Sequence, residues 1–214
     1  MSHPLIAQIL LWVLPTIFAI VMHEVMHGFV AYWFGDDTAK RAGRLTLDPL
    51  SHIDPFGTLI LPAILFFLHL PVFGYARPVP VNFSRLRPRR IGTILVAAAG
   101  PLTNFILAVL SALAIRSPLI AHAHGKLQVF FSVPAVYMLR ISVIINVALA
   151  IFNLFPLLPL DGGRVLAGLL PPPAARAFAR LEPYGLLIML LLLYTNTVDE
   201  IMHPIINAIV GRLL

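Results

Sequence analysis

Residues 17–33, IFAIVMHEVMHGFVAYW, place two histidines and a glutamate within an apolar run. An ionisable side chain in lipid costs at least about 2.5 kcal/mol on insertion scales, so it needs a partner or a function. His23 and His27 are four residues apart, which puts both imidazoles on one face of a helix, separated by about 6 Å of rise. Two imidazoles at this spacing can reach one metal ion. The stretch therefore predicts a membrane helix whose polar side chains have a function, such as binding a metal ion.

The composition of the whole chain indicates an integral membrane protein. Of its 214 residues, 59% are hydrophobic and 11% are charged, whereas soluble domains carry about 25% charged residues. The net charge of +6 comes from clustered arginines, which in such a chain act as topology signals and not as contacts to nucleic acid. The chain has no cysteine, which excludes disulfides and cysteine nucleophiles. We expect a single transmembrane domain over residues 1–214.

The apolar segments predict an all-α polytopic fold. They fall at residues 5–34, 57–74, 91–115, 134–157 and 183–198, with a weaker segment at 201–214. A helix needs about 20 residues to cross the bilayer, and the segment 57–74 is short and contains two prolines. We therefore expect five to six membrane segments, with 57–74 short or re-entrant and 201–214 either crossing or lying at the interface.

The positions of arginine and lysine favour the re-entrant arrangement. If 57–74 crosses once, the positive residues of the loops divide five to eight between the two sides. If 57–74 instead enters and leaves on the same side, the loops 35–56, 75–90 and 158–182 share that side with eleven positive residues. The loop 116–133, on the opposite side, then has only two. The positive-inside rule favours this second arrangement. We expect these three loops to face the cytoplasm.

The pattern His23-Glu24-x-x-His27 is typical of zinc hydrolases. Catalytic zinc has three protein ligands and one open position. The two histidines would be ligands, and Glu24 would act as general base toward water. The alternative is that a five-residue pattern arises by chance. Against it, burying these three side chains in lipid without a metal would leave several polar groups unpaired.

A third ligand is expected from NLFPLLPLDGGR, residues 153–164. Its two prolines must interrupt a helix, because each lacks an N–H donor and clashes with the preceding turn. The break presents Asp161 at the edge of the apolar zone. The alternative is a loop capped by this aspartate, which is a common use of Asp-Gly. If 57–74 is re-entrant, Asp161 lies on the same side as His23 and His27, so the three can share one zinc ion per chain.

Two further stretches of the sequence indicate function less specifically. AAAGPLTN, residues 97–104, has small residues that allow close helix packing, and a buried Asn104 needs a polar partner. Ordinary membrane-helix packing accounts for most of this motif. ARPVPVNF, residues 76–83, alternates and is interrupted by proline, which predicts a small strand-like loop. That loop either pairs with an extended substrate strand or only packs.

HEVMH, GPLTN and NLFPLLPLDGGR, in this order, closely resemble the site-2 protease family of intramembrane zinc metalloproteases. GRLTLDPLSHIDPFGTLILP and FGYARPVPVN resemble its compact prokaryotic branch, and we expect neither a PDZ nor a CBS domain of the kind that many members carry. The resemblance covers about residues 15–170 and implies hydrolysis of transmembrane proteins or peptides, in a prokaryotic cell membrane, at a site toward the cytoplasm. It implies zinc bound by His23, His27 and Asp161, water activated by Glu24, and the scissile peptide or its oxyanion positioned by Asn153 and Asn104.

Two alternatives stay open on the residues alone. A membrane metal transporter also places histidines and carboxylates in lipid, but it does not need a glutamate next to the first of two such histidines. An inactive relative that only binds membrane helices would have no use for Glu24 beside a metal. The sequence makes no prediction of oligomeric state.

Overall fold

The computed structural model describes residues 5–69, 74–118 and 126–214. Within these ranges most residues are helical and none is in a strand. Short 3₁₀-helices occur at Pro49–His52 and Glu182–Tyr184, and a π-helix occurs at Pro55–Ile60. The α-helices are α1 (Leu5–Trp33), α2 (Thr38–Arg41), α3 (Leu61–Phe67), α4 (Arg89–Ile115), α5 (Lys126–Asn153), α6 (Asp161–Leu169), α7 (Pro172–Ala179), α8 (Gly185–Tyr194) and α9 (Thr197–Leu213).

Four helical stretches of the described residues are long and apolar enough to cross a membrane. The last of them is divided into α7, a 3₁₀ turn and α8. Large apolar side chains such as Trp33 and Leu113 are exposed on the long helices, as expected where side chains face lipid. The prediction of an all-α polytopic membrane protein is confirmed. The four stretches are Ile9–Trp33, Arg89–Ile115, Val133–Asn153 and Pro172–Tyr194.

The helices α1, α4 and α5 pack against one another. The N–H of Arg87, just before α4, donates to the carbonyl of Phe34, just after α1, at 2.8 Å. At the other end of the contact the Asn104 amide of α4 donates to the carbonyl of Ala19 at 3.2 Å, so α1 and α4 are antiparallel. Small residues let the backbones approach closely. Those of α4 that are buried include Ala97, Ala99, Gly100, Ala108, Ser111 and Ala112.

The two ends of the segment 57–74 lie together beside α1. The N–H of Tyr75 donates to the carbonyl of Gly57 at 3.0 Å, and that of Arg77 donates to the carbonyl of His52 at 2.9 Å. The π-helix and α3 together form one helical stretch, Pro55–Phe67, which is shorter than the about 20 residues needed to cross a bilayer. The two ends of the segment therefore meet, as the re-entrant arrangement favoured by the arginine count requires, and its placement in the membrane stays a prediction. Residues 70–73 of this segment lie outside the described residues.

The three loops richest in arginine and lysine meet at one end of the helix bundle. The N–H of Asn82 donates to the Asp36 carboxylate at 2.6 Å, which joins the loop 75–90 to the loop 35–56. The Arg90 guanidinium donates to the carbonyls of Gly168 and Leu169, both at 2.7 Å. The third loop, 158–182, is therefore at the same end. That this end faces the cytoplasm stays a prediction.

The C-terminal helix runs back along the bundle. Asn196, in the left-handed conformation with φ of 57°, separates α8 from α9. Helix α9 packs along α5, and at its end the carbonyl of Leu213 accepts a hydrogen bond from Arg116 at 2.9 Å. Because Arg116 follows α4 at the far end of the bundle, the segment 201–214 extends alongside α5 and not across its end.

Candidate metal centre

Three potential ligand atoms converge where α1 meets the start of α6. His23 Nε2 and His27 Nε2 are 3.0 Å apart. Asp161 Oδ2 lies 3.1 Å from the first and 3.2 Å from the second. Both histidines are buried and Asp161 is half-buried. The structure thus brings together the three residues that the sequence proposed as ligands.

Each imidazole is oriented by a hydrogen bond on its other nitrogen. His27 Nδ1 lies 2.6 Å from the carbonyl oxygen of Val96, which can only accept, so this nitrogen carries the proton. His23 Nδ1 lies 2.6 Å from Asn104 Oδ1 and donates to it in the same way. Neutral imidazoles with the proton on Nδ1 present a lone pair on Nε2. Both Nε2 atoms are therefore free to bind a metal.

The donor set fits a metal ion. Three acceptor atoms about 3 Å apart repel one another unless a cation lies among them, and among the described residues Asp161 Oδ2 has no hydrogen-bond partner. Tetrahedral zinc with bonds of about 2.0–2.1 Å separates its ligand atoms by about 3.3–3.4 Å. The three observed separations of 3.0, 3.1 and 3.2 Å are within about 0.4 Å of that value.

Gly100 of the GPLTN motif faces this centre. A Cβ built there would lie 2.4 Å from His27 Nε2 and 2.5 Å from His23 Nε2, closer than nonbonded atoms approach. Any side chain at this position would occupy the space in which the two nitrogens converge. Gly100 was not predicted as a site residue, because the motif indicated only close helix packing. A glycine followed by Pro101 inside a predicted span was the available signal.

Asp161 is placed by two glycines at the start of α6. A Cβ on Gly162 would lie 2.1 Å from the carbonyl oxygen of Leu154, and one on Gly163 would lie 2.5 Å from the carbonyl carbon of Leu157. Only glycine lets α6 approach the interrupted end of α5 so closely. The predicted helix break therefore has the effect expected of it, since it brings Asp161 back to α1.

Glu24 lies beside the centre and contacts the strand-like loop. Its Oε2 accepts a hydrogen bond from the N–H of Val79 at 2.8 Å. The loop is also held at Arg77, whose carbonyl accepts from Arg44 at 2.9 Å, and at Asn82, whose N–H donates to a carboxylate oxygen of buried Asp36 at 2.6 Å. The described part of this loop pairs with no other strand. Its backbone is fixed against α1, next to Glu24.

The two predicted asparagines have different surroundings. Asn104 is fully buried, and besides binding His23 its amide donates to Asn146 Oδ1 at 2.8 Å. Asn146 in turn donates to the carbonyl of Ser142 at 2.9 Å. Asn153, at the end of α5, donates to the carbonyl of Leu149 at 2.9 Å. The sequence reasoning missed Asn146, whose signal was an amide in the middle of an apolar span.

Comparisons with known proteins agree with this geometry. Residues 12–195 match Peptidase family M50. The chain is 39% identical over 197 residues to "Putative zinc metalloprotease YwhC" of Bacillus subtilis, covering 92% of this chain and 85% of that protein. It is 31% identical over 186 residues to "Putative zinc metalloprotease Rip2" of Mycolicibacterium smegmatis, covering 85% of this chain and 66% of that protein.

No solved structure gave a significant match. The family match nevertheless includes the helix with His23 and His27, the GPLTN motif and Asp161. Together with the converging ligand atoms, it shows that this chain belongs to peptidase family M50, the site-2 protease family of membrane metalloproteases.

Proposed function

We propose that this membrane metalloprotease is an intramembrane zinc endopeptidase that cuts peptide bonds within or near the transmembrane segments of other proteins. The observation that carries the proposal is the convergence of His23 Nε2, His27 Nε2 and Asp161 Oδ2 within 3.2 Å of one another, one residue from Glu24. The chain that carries these atoms belongs to a family of metalloproteases. The atoms lie between helices that are long enough to cross a membrane.

One zinc ion per chain is the cofactor that this donor set suits. Two neutral imidazoles and a carboxylate are a common catalytic ligand set for zinc, which also needs an open position for water or substrate. Zinc held here would polarise a peptide carbonyl and make water more acidic. The names of the bacterial relatives describe zinc metalloproteases, which supports the choice of metal.

Glu24 is the group that would move protons. Its carboxylate takes a proton from the attacking water and then returns it to the leaving amine. The hydrogen bond from Val79 orients the carboxylate, so the base does not have to be ordered when the substrate arrives. His23 and His27 would not take this role, because the basic lone pair of each imidazole lies on Nε2 and would bind the metal, while each Nδ1–H donates to Asn104 or to Val96.

The substrate must present an extended peptide, because a helix hides its carbonyls in internal hydrogen bonds. The strand-like loop at 76–83 lies next to Glu24 and could pair with such a strand. Pro78 and Pro80 have no N–H, and the N–H of Val79 is bonded to Glu24. Pairing along this stretch would therefore use carbonyl oxygens of the loop. The alternative is that the loop serves only to hold Glu24.

The two predicted asparagines take different roles in this proposal. Asn104 Oδ1 accepts a hydrogen bond from the Nδ1–H of His23, and Asn104 is fully buried, so it would orient the ligand and not contact the peptide. Partners of this kind fix the orientation of a metal-binding histidine. Asn153 is half-buried at the end of α5 and is the candidate for positioning the scissile peptide or its oxyanion.

The proposed location is a prokaryotic cell membrane, with the site toward the cytoplasm. It is supported by the arginine-rich loops, which all lie at the end of the bundle nearest the centre. The substrates would be transmembrane proteins or peptides, with the lipid bilayer as the surrounding medium and no role for nucleic acid.

The proposal is tested by comparing membrane-protein fragments in cells that produce the wild-type protein or the Glu24→Gln variant. Glutamine keeps the size and hydrogen bonding of Glu24 but cannot act as a base. Fragments cut within or near transmembrane segments should be present with the wild type and absent with Glu24→Gln. A metal transporter would give no such fragments, and its metal uptake would survive the substitution. An inactive relative would give identical fragments in both strains.

A further inference from the structure

A cavity of about 250 Å³ lies between α1 and the re-entrant segment. One wall consists of Ile17, Ile20 and Val21 of α1, and the opposite wall includes Tyr75 and Ala76, where the re-entrant segment returns. The lining is mainly apolar. Nothing in the proposed proton transfer or metal binding uses this space.

Both walls of the cavity include residues that are close to Glu24. Ile20 and Glu24 are four residues apart on α1, so they lie on one face with about 6 Å of rise between them. Ala76 is three residues before Val79, whose N–H donates to Glu24, and extended chain covers this interval in about 10 Å. The same 6–10 Å corresponds to two or three residues of an extended substrate.

The outer wall is held in place by hydrogen bonds and by packing on backbone. Tyr75 donates its N–H to the carbonyl of Gly57, and its own carbonyl accepts from the Thr58 hydroxyl at 3.0 Å. A Cβ on Gly57 would lie 2.3 Å from the Tyr75 ring, so this ring packs directly on backbone. The cavity is therefore formed before any ligand enters, as is usual for binding sites.

We propose that this cavity is a specificity pocket that binds one apolar side chain of the substrate, within three residues of the cleaved bond. The inference rests on the proposed protease function and adds the chemical class that the enzyme selects: a large aliphatic residue such as leucine at one position near the cut.

The pocket is tested with purified protein in lipid vesicles and a set of membrane peptides. The peptides carry leucine or alanine at each of three positions on either side of a cleaved bond. Wild-type protein should cut the leucine peptide at least about tenfold faster at one position, since a buried apolar group is worth about 10–200-fold in such a pocket. Ala76→Leu fills the pocket and should remove this preference, whereas Ile20→Ala enlarges it and should shift the preference toward phenylalanine.

Ile106→Ala provides the matched control, because Ile106 is half-exposed on α4 away from the cavity. This variant should keep the wild-type preference. If the Ala76→Leu and Ile20→Ala proteins both cleave the peptides and both keep the wild-type preference for leucine, the pocket assignment is wrong. If wild-type protein cuts no faster than Glu24→Gln, the protease function itself has failed, and the pocket is then tested by binding.

The binding test uses the absence of cysteine from the chain. With a mild oxidant added, Glu24→Gln protein with Ala76→Cys should form a disulfide with a cysteine placed near the middle of the peptide. The same peptide should not react with Leu102→Cys, which is exposed on α4. Equal reaction at both positions, or none at Ala76→Cys, would overturn the proposed pocket.

Discussion

Replacing Gly100 with alanine is expected to abolish tight zinc binding while leaving the helices assembled. The new Cβ would lie 2.4 Å from His27 Nε2 and 2.5 Å from His23 Nε2, whereas nonbonded heavy atoms pack at about 3.5 Å or more. Either α4 or the two imidazoles must therefore move by about 1 Å. Ligand distances in a metal site tolerate only about 0.2 Å.

The expected loss of zinc affinity follows from this displacement. Loss of a single residue that orients a metal ligand typically lowers metal affinity about 10–100-fold. Here two ligands are displaced together, so we expect at least a 100-fold loss, or about 2.8 kcal/mol of binding free energy. Because both imidazoles also keep their Nδ1 partners on α4, rotating either one away would break a buried hydrogen bond as well.

Chelator competition and elemental analysis of the purified protein measure this loss. Gly211→Ala is the matched control, because a Cβ at that position meets nothing within 4 Å. It should bind one zinc with wild-type affinity, and both variants should elute as a single species in size-exclusion chromatography. A folded Gly100→Ala protein that binds zinc as tightly as the wild type would refute the placement of the metal beside this glycine.

Three other predictions concern the ligands and the topology. Asp161→Ala should lose most of its zinc in elemental analysis, since three protein ligands leave little redundancy; full occupancy would remove this residue from the site. Asn104→Ala should bind zinc about 10–100-fold more weakly, whereas Asn153→Ala should bind it normally, and equal affinities would contradict the role of Asn104. Cysteines placed at Ser51 and Ser84 should both resist a membrane-impermeant thiol reagent until cells are opened. Labelling of the Ser84→Cys protein from outside would mean that these loops do not share the cytoplasmic side.

The centre was largely predictable from the sequence, because its determinants are local. His23 and His27 lie on one helical face through their spacing alone. The helix break that returns Asp161 to α1 follows from prolines, whose effect does not depend on packing. The re-entrant arrangement of residues 57–74 was predicted from the count of positive loop residues, and the bond between Gly57 and Tyr75 shows that the two ends of this segment meet.

The surroundings of the centre were not predictable, because they depend on how the helices are rotated against one another. The spacing of AAAGPLTN did not show that Gly100 faces the imidazoles or that Asn104 reaches His23. The bond from Val79 to Glu24 joins residues 55 positions apart, and no local pattern encodes such a contact. The role of Asn146 likewise depends on the packing of α5 against α4.

The central claim is that zinc held by His23, His27 and Asp161 works with Glu24 to hydrolyse a membrane peptide. The most direct measurement is cleavage of a transmembrane peptide by purified protein in lipid vesicles, with the zinc content determined in the same samples. Wild-type protein should cut, should stop when zinc is chelated, and should recover when zinc is returned. Glu24→Gln should hold one zinc per chain yet cut about 10²–10⁴-fold more slowly. Unchanged cleavage by zinc-loaded Glu24→Gln, or by zinc-free wild type, would contradict the claim.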